Sequence, residues 1–272
     1  MIKVSFQTLR PLRREQGRLR SNVKTLLKLN GAEKGSTVFV VGAGTQLNSL
    51  TKRQLDALGR RPTIGLNRTQ FAVNLRYFLS AYPHEVFLAS SHAPRVTAIN
   101  MRPNLTSPLT PGTLAVKRVD HSLGDSLSPS FHPSEPSLHT LRNVALGATH
   151  LALILGASKI VYIGVQQTNL LHYYDEIAEL RDLLAARLRA VPANLFAVDH
   201  PYATLESYLD ELQVPTEVLA NQPFYKESHR ETFQDFFRAL GEHGVETFTT
   251  LSESVVAYAG AQVVPLDEAL SW

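Results

Sequence analysis

Residues 37–47, Thr-Val-Phe-Val-Val-Gly-Ala-Gly-Thr-Gln-Leu, constrain this chain more than any other stretch. Apolar residues 38–41 run without alternation into Gly42, a second glycine stands at 44, and Thr45 and Gln46 follow with polar side chains. That pattern is a buried strand entering a tight polar turn, the place where an open α/β sheet receives a nucleotide.

The rest of the body alternates in the same way. Strands are expected at 37–41, 62–65, 85–89, 159–163, 194–198 and 245–248, and helices at about 51–58, 68–80, 143–156, 173–190, 203–212 and 230–243. Alternation of this kind predicts a Rossmann-like α/β fold, a mostly parallel sheet with helices on both faces. Ala145, Ala148, Leu151, Ala152 and Leu155 predict a helix buried almost all round, ended by Gly156. Residues 103–139 break the rhythm with six prolines and many Ser and Thr, and with 170–225 they are read as lid-like segments.

Charge divides the chain further. Residues 1–30 hold eight Lys/Arg against the single acid Glu15, a charge of +7, so the formal +3 of the whole leaves −4 for the remainder. A basic N-terminal arm is therefore assigned to 1–35 and a single α/β domain to 36–272. Such an arm suits peripheral contact with an anionic membrane or an anionic partner; the alternative is a solvated helix that Val23, Leu26, Leu27 and Leu29 dock on the body. With no aromatic residues among its basic ones after Phe6, nucleic acid is not expected as a partner. No apolar run reaches the ~20 residues of a membrane span, and no cysteine is present. The expected location is cytoplasmic, at the inner face of the plasma membrane if the arm is engaged.

Several chemistries lack their signatures. The chain has no G-x-x-x-x-G-K-[ST] loop and no G-x-S-x-G elbow. Leu47 stands where a dinucleotide fingerprint needs its third glycine. No Asp-x-Asp pair occurs, and His121, His132 and His139 lack ligand spacing, so no metal site is expected.

Four segments in a fixed order carry a resemblance: Val41–Leu47; Ile64-Gly65-Leu66-Asn67; the unit from Arg142-Asn143 through Leu155-Gly156 to Val161–Gln166; and Ser228-His229 with its following helix and strand. Together they resemble the small bacterial sialyltransferases of glycosyltransferase family 42 and the related pterin-diphosphokinase-like proteins that share their nucleotide-binding core. The resemblance covers about 36–80, 140–175 and 226–268.

The resemblance implies a metal-independent glycosyltransferase. It would transfer a sugar from a CMP-activated donor, of sialic acid or Kdo type, to a glycan hydroxyl of lipopolysaccharide or capsule, with the CMP-sugar as substrate and no separate cofactor. Gly42, Ala43, Gly44, Thr45 and Gln46 would line the phosphate and ribose, and Asn67 would hold the nucleotide. Arg142 and Asn143 would face it from the start of a helix, and Gly164, Gln166 and Thr168 from the end of a strand. Gln166 replaces the family's acidic residue and Thr168 its first tyrosine. Tyr174, with Tyr173 beside it, would stabilise the departing phosphate. His229 would be the general base, a helix start favouring its neutral form; His200, beside Asp199, is the rival. Two other functions stay open: a diphosphokinase-like enzyme using ATP and Mg²⁺ on a pterin alcohol, and a catalytically inactive nucleotide-sugar-binding protein. A homo-oligomer is compatible with all three.

Overall fold

The computed structural model describes residues 26–93, 95–101, 113–116, 118–119, 132–134, 137–140, 143–196, 204–223 and 227–272. Its strands are β1 Thr37–Val41, β2 Thr63–Leu66, β3 Tyr77–Ser80, β4 Thr97–Asn100, β5 Leu114–Ala115, β6 Arg118–Val119, β7 Leu138–His139, β8 Lys159–Ile163, β9 Glu246–Thr249 and β10 Gln262–Val263. The helices are α1 Lys52–Leu58, α2 Pro83–His92, α3 Val144–Leu155, α4 Ala178–Arg189, α5 Leu205–Glu211, α6 Thr216–Asn221, α7 Glu227–Glu242, α8 Val255–Tyr258 and α9 Leu266–Ala269.

Eight strands form one sheet in the order β10-β9-β8-β1-β2-β3-β4-β5. Every pairing in it is parallel, and β6 and β7 pair separately. The α/β Rossmann-like architecture expected from the alternation is therefore present. In the central strands successive side chains go to opposite faces. Val38, Val40, Ile160 and Tyr162 join the core under α3, α7 and α8. Phe39, Val41, Val161 and Ile163 join the core under α1, α4 and α5. No helix among the described residues is long and apolar enough to cross a membrane.

Helix α3 is buried from Ala145 through Leu155. Gly156 ends it in the left-handed region at φ 84°, where a side chain would be strained. The N–H groups of Gly31, Glu33 and Gly35 donate to the carbonyls of Ile154, Leu155 and Gly156 at 2.8–2.9 Å, closing the helix end. Leu26 is fully buried in the same core. This corrects the domain boundary: residues 26–35 belong to the body, and 1–25 lie outside the described residues.

Two further elements differ from the reading of the sequence. The strand expected at 85–89 is part of α2, which opens on Pro83 with its φ preset for a helix start. The helix expected over 68–80 is a short 3₁₀ turn, Asn67–Phe71, followed by β3. There Tyr77 and Leu79 pair with Ile64 and Leu66 in register, and tertiary pairing overrides helical periodicity. Residues 194–195 lie in a 3₁₀ turn rather than a strand, and the helix expected from 173 begins at Ala178.

Candidate functional site

From β1 the chain runs outward through β2, β3, β4 and β5; from β8 it runs the other way through β9 and β10. β1 and β8 are neighbours, so their carboxyl ends diverge and open a crevice at the topological switch point. A cleft of about 380 Å³ lies there. Gly42, Ala43 and Gly44 after β1, Asn67 after β2, Asn143 before α3, Gly164, Val165 and Gln166 after β8, and His229 on α7 all line it.

Glycines form the floor because two backbones meet there. The Gly42 N–H donates to the Ile163 carbonyl at 2.8 Å, and the Gly44 N–H to the Gly164 carbonyl at 2.9 Å. A Cβ on Gly42 would stand 2.5 Å from the Gly164 oxygen; one on Gly44 would stand 2.5 Å from Gln166 Oε1. Gly164 itself has φ +64°, and a Cβ on it would lie 2.6 Å from the Gly42 oxygen. These glycines let strand ends approach each other. The N–H groups of Gly42 and Gly44 are spent on that contact, so these glycines line the cleft without turning those two donors toward it.

Thr45 and Gln46 brace the floor from outside the cleft. The Thr45 hydroxyl donates to Gln166 Oε1 at 3.2 Å. Gln46 accepts the Gly164 N–H through Oε1 at 2.8 Å and donates through Nε2 to Thr250 Oγ1 at 2.8 Å. They fix the turn and do not line the cleft.

Two lining residues hold an uncommon backbone. Asn67 and Gln167 both have φ 53°, the left-handed region, and among the described residues no other non-glycine does. Such positions cost of order 1–3 kcal/mol and collect at ligand sites. The amides of Gln167 and Asn143 exchange hydrogen bonds at 3.0 and 3.2 Å. Asn143 Oδ1 also accepts the Ala145 N–H at 2.9 Å as the cap of α3. Asn143 thus joins a helix start to the segment after β8.

That segment forms the next wall. Gln167, Asn169, Leu170, Leu171 and His172 line the cleft, while Tyr173 and Tyr174 turn away and are buried. The Tyr173 N–H donates to the Ala43 carbonyl and its hydroxyl to the Arg68 carbonyl, each at 2.8 Å. Arg68 donates to the Tyr174 hydroxyl at 2.9 Å and pairs with Glu85 at 3.0 Å and Glu211 at 3.5 Å. The two tyrosines therefore anchor the wall from behind, a correction to their expected contact with a leaving phosphate. Burial pushes the Tyr174 hydroxyl well above the ordinary tyrosine value, with Arg68 opposing it. Burial alone would also keep Glu85 neutral, but the Arg68 guanidinium, with His84, pulls its carboxyl down to about 2.

His172 is the side chain that this wall presents. Its ring lies on that of Tyr174, centroids 4.9 Å apart and planes within 5°. Asp175 accepts from the His172 N–H at 2.7 Å and stands 3.2 Å from Nδ1. The sequence reading missed it, although an acid three residues after a histidine, in the segment that follows β8, was its signal. Thr168 does not line the cleft. Arg142, Asp199, His200 and His121 lie outside the described residues, as does most of 103–139; from that segment β5, β6, β7 and residues 132–134 are described.

His132 and His139 form no metal-holding group, and among the described residues there is none. The described lining has no Lys, Arg, Asp or Glu; its polar groups are amides, hydroxyls and the two imidazoles. No protein-family model, curated protein or solved structure matches this chain.

Proposed function

We propose that the cleft binds a nucleotide-activated sugar and transfers the sugar to a hydroxyl without a metal ion. One observation carries the reading: a switch-point crevice whose described lining combines amide side chains with two histidines and no carboxylate. Amides suit a base and ribose, which present both donors and acceptors. An imidazole suits removal of a hydroxyl proton near neutral pH. The resemblance to family 42 sialyltransferases supports CMP-sialic acid and CMP-Kdo as the donors to test first. A lipopolysaccharide or capsule sugar is then the acceptor, with the basic arm at 1–25 holding the enzyme at an anionic membrane.

A magnesium-dependent transfer from ATP needs convergent carboxylates, and the described lining offers none, so the sugar-transfer reading is preferred. Thermal-shift measurements with CMP, CDP, UDP, GDP and ATP, each with and without Mg²⁺, test it. Stabilisation by CMP in the absence of metal supports the reading. Stabilisation by ATP with Mg²⁺ alone overturns it.

A further inference from the structure

We infer that His172, rather than His229, takes the acceptor's proton, with Asp175 as its positioning residue; the inference rests on the transfer reading above. An ionised carboxylate only accepts hydrogen bonds. In a neutral ring facing an Asp175 carboxylate at 3.2 Å, Nδ1 of His172 is the nitrogen suited to carry the hydrogen, which leaves the lone pair on Nε2. The geometry is held from several sides. Asp175 is buried, 3% exposed; its N–H donates back to the His172 carbonyl at 3.1 Å, and its own carbonyl accepts the Thr216 hydroxyl at 3.0 Å. Tyr174, fixed by Arg68, supports the face of the ring. The His172 side chain keeps about a third of its surface exposed and lines the cleft.

A base must carry positive charge as the reaction proceeds. At His172 the Asp175 carboxylate offsets that charge, as the orienting acid does in hydrolase triads. At His229, in the first turn of the 16-residue α7, the partial positive charge of the helix start opposes it. The feature that marked His229 as a base in the sequence thus suits it better to donate a hydrogen bond to the nucleotide phosphate. In the step itself the acceptor O–H proton passes to Nε2 of His172 while the acceptor oxygen bonds to the anomeric carbon. The bond from that carbon to the phosphate oxygen breaks, and the electron pair leaves with CMP. The imidazolium then returns its proton to water.

Two measurements on the full chain test the inference. The first needs no substrate: carbethoxylation at pH 8 followed by peptide mapping, with ¹⁵N spectra of the histidine rings. His172 should react faster than the exposed His132 and His243, its wild-type ring should show Nδ1–H, and Asp175→Asn should slow the reaction. An Nε2–H ring, or reaction no faster than at His132, overturns the inference even if Asp175→Asn fails to fold. The second uses CMP-sialic acid as donor. His172→Gln should lower kcat by about 10²–10⁴-fold with little change in donor KM, whereas His229→Gln should act mainly on KM. The reverse order overturns the inference. No turnover by the wild type counts against the transfer reading and leaves carbethoxylation and the ring spectra to decide His172.

Discussion

On one face of the sheet α3 lies against Val38, Val40, Ile64 and Ile160, with Ala145 through Leu155 buried and apolar residues predominating. On the other, directly behind the cleft wall, Arg68, Glu85 and Tyr174 are buried together, and Glu85 Oε2 has no hydrogen-bond partner among the described residues. The first face gains stability from area removed from water, about 25 cal/mol per Å². The second carries charges whose desolvation consumes most of what their pairing returns. That arrangement does little for stability that well-packed leucines would not do. What it supplies is a fixed ring position for His172, reached through Tyr174.

The largest expected effect breaks the charged face. Arg68→Met leaves Glu85 buried and uncompensated and should cost about 3–5 kcal/mol in denaturant unfolding; adding Glu85→Leu should recover much of that. If the single variant loses under 1 kcal/mol on this scale, the buried pair is not what holds that face. Leu151→Ala on the apolar face should cost about 2–5 kcal/mol through the cavity it opens, without altering CMP binding.

Acid should separate the two faces by pH. Burial holds His150 of α3 down at about 3, from an ordinary 6.5, with His139 adding to the effect. The folded value is depressed, so its contribution is complete above about 6.5 and declines as pH falls toward 3. Glu85, at about 2 against an ordinary 4.5, keeps its contribution until pH drops below about 4.5. Unfolding free energy measured against pH should therefore decline first through the α3 face, by about 1.4 kcal/mol per pH unit for one group. His150→Gln should flatten that first limb alone.

Smaller effects test the floor that joins the faces. Gly44→Ala should cost about 1–3 kcal/mol and weaken nucleotide binding, because the methyl meets Gln166 and the Gly164 carbonyl. Gly241→Ala, in α7 with nothing within 4 Å of the added carbon, should instead stabilise by up to about 1 kcal/mol. Equal losses at both sites would show that close approach of the strands is not what the floor glycines serve.

The apolar face was largely legible in the sequence. The runs at 38–41 and 160–163 are buried throughout, and α3 is bounded by Asn143 and Gly156, a cap and a stop that read locally. The charged face was not. Glu85 sits beside Val86, Phe87 and Leu88, and a buried carboxylate inside an apolar run looks like a strand until its partner Arg68, 17 residues away, is in view. The cleft was legible where backbone demands a residue type, at Gly42, Gly44 and Asn67. It was illegible where a side chain's direction decides its role: Tyr173 and Tyr174 follow His172 directly, yet of the three the histidine alone lines the cleft. Direction along an irregular segment follows from tertiary anchors such as the Ala43 carbonyl, which no local pattern encodes.

The interlocked glycines at 42, 44 and 164 also limit how this cleft can diversify. A methyl group on this floor meets neighbouring atoms at 2.5–2.6 Å, so recontouring it by point substitution costs stability. Variation in what the cleft accepts comes more readily from the rim, from residues such as Tyr82, Thr140 and Leu171. A substitution library confined to the rim should yield altered ligand preferences, while one aimed at the floor should return mostly destabilised variants.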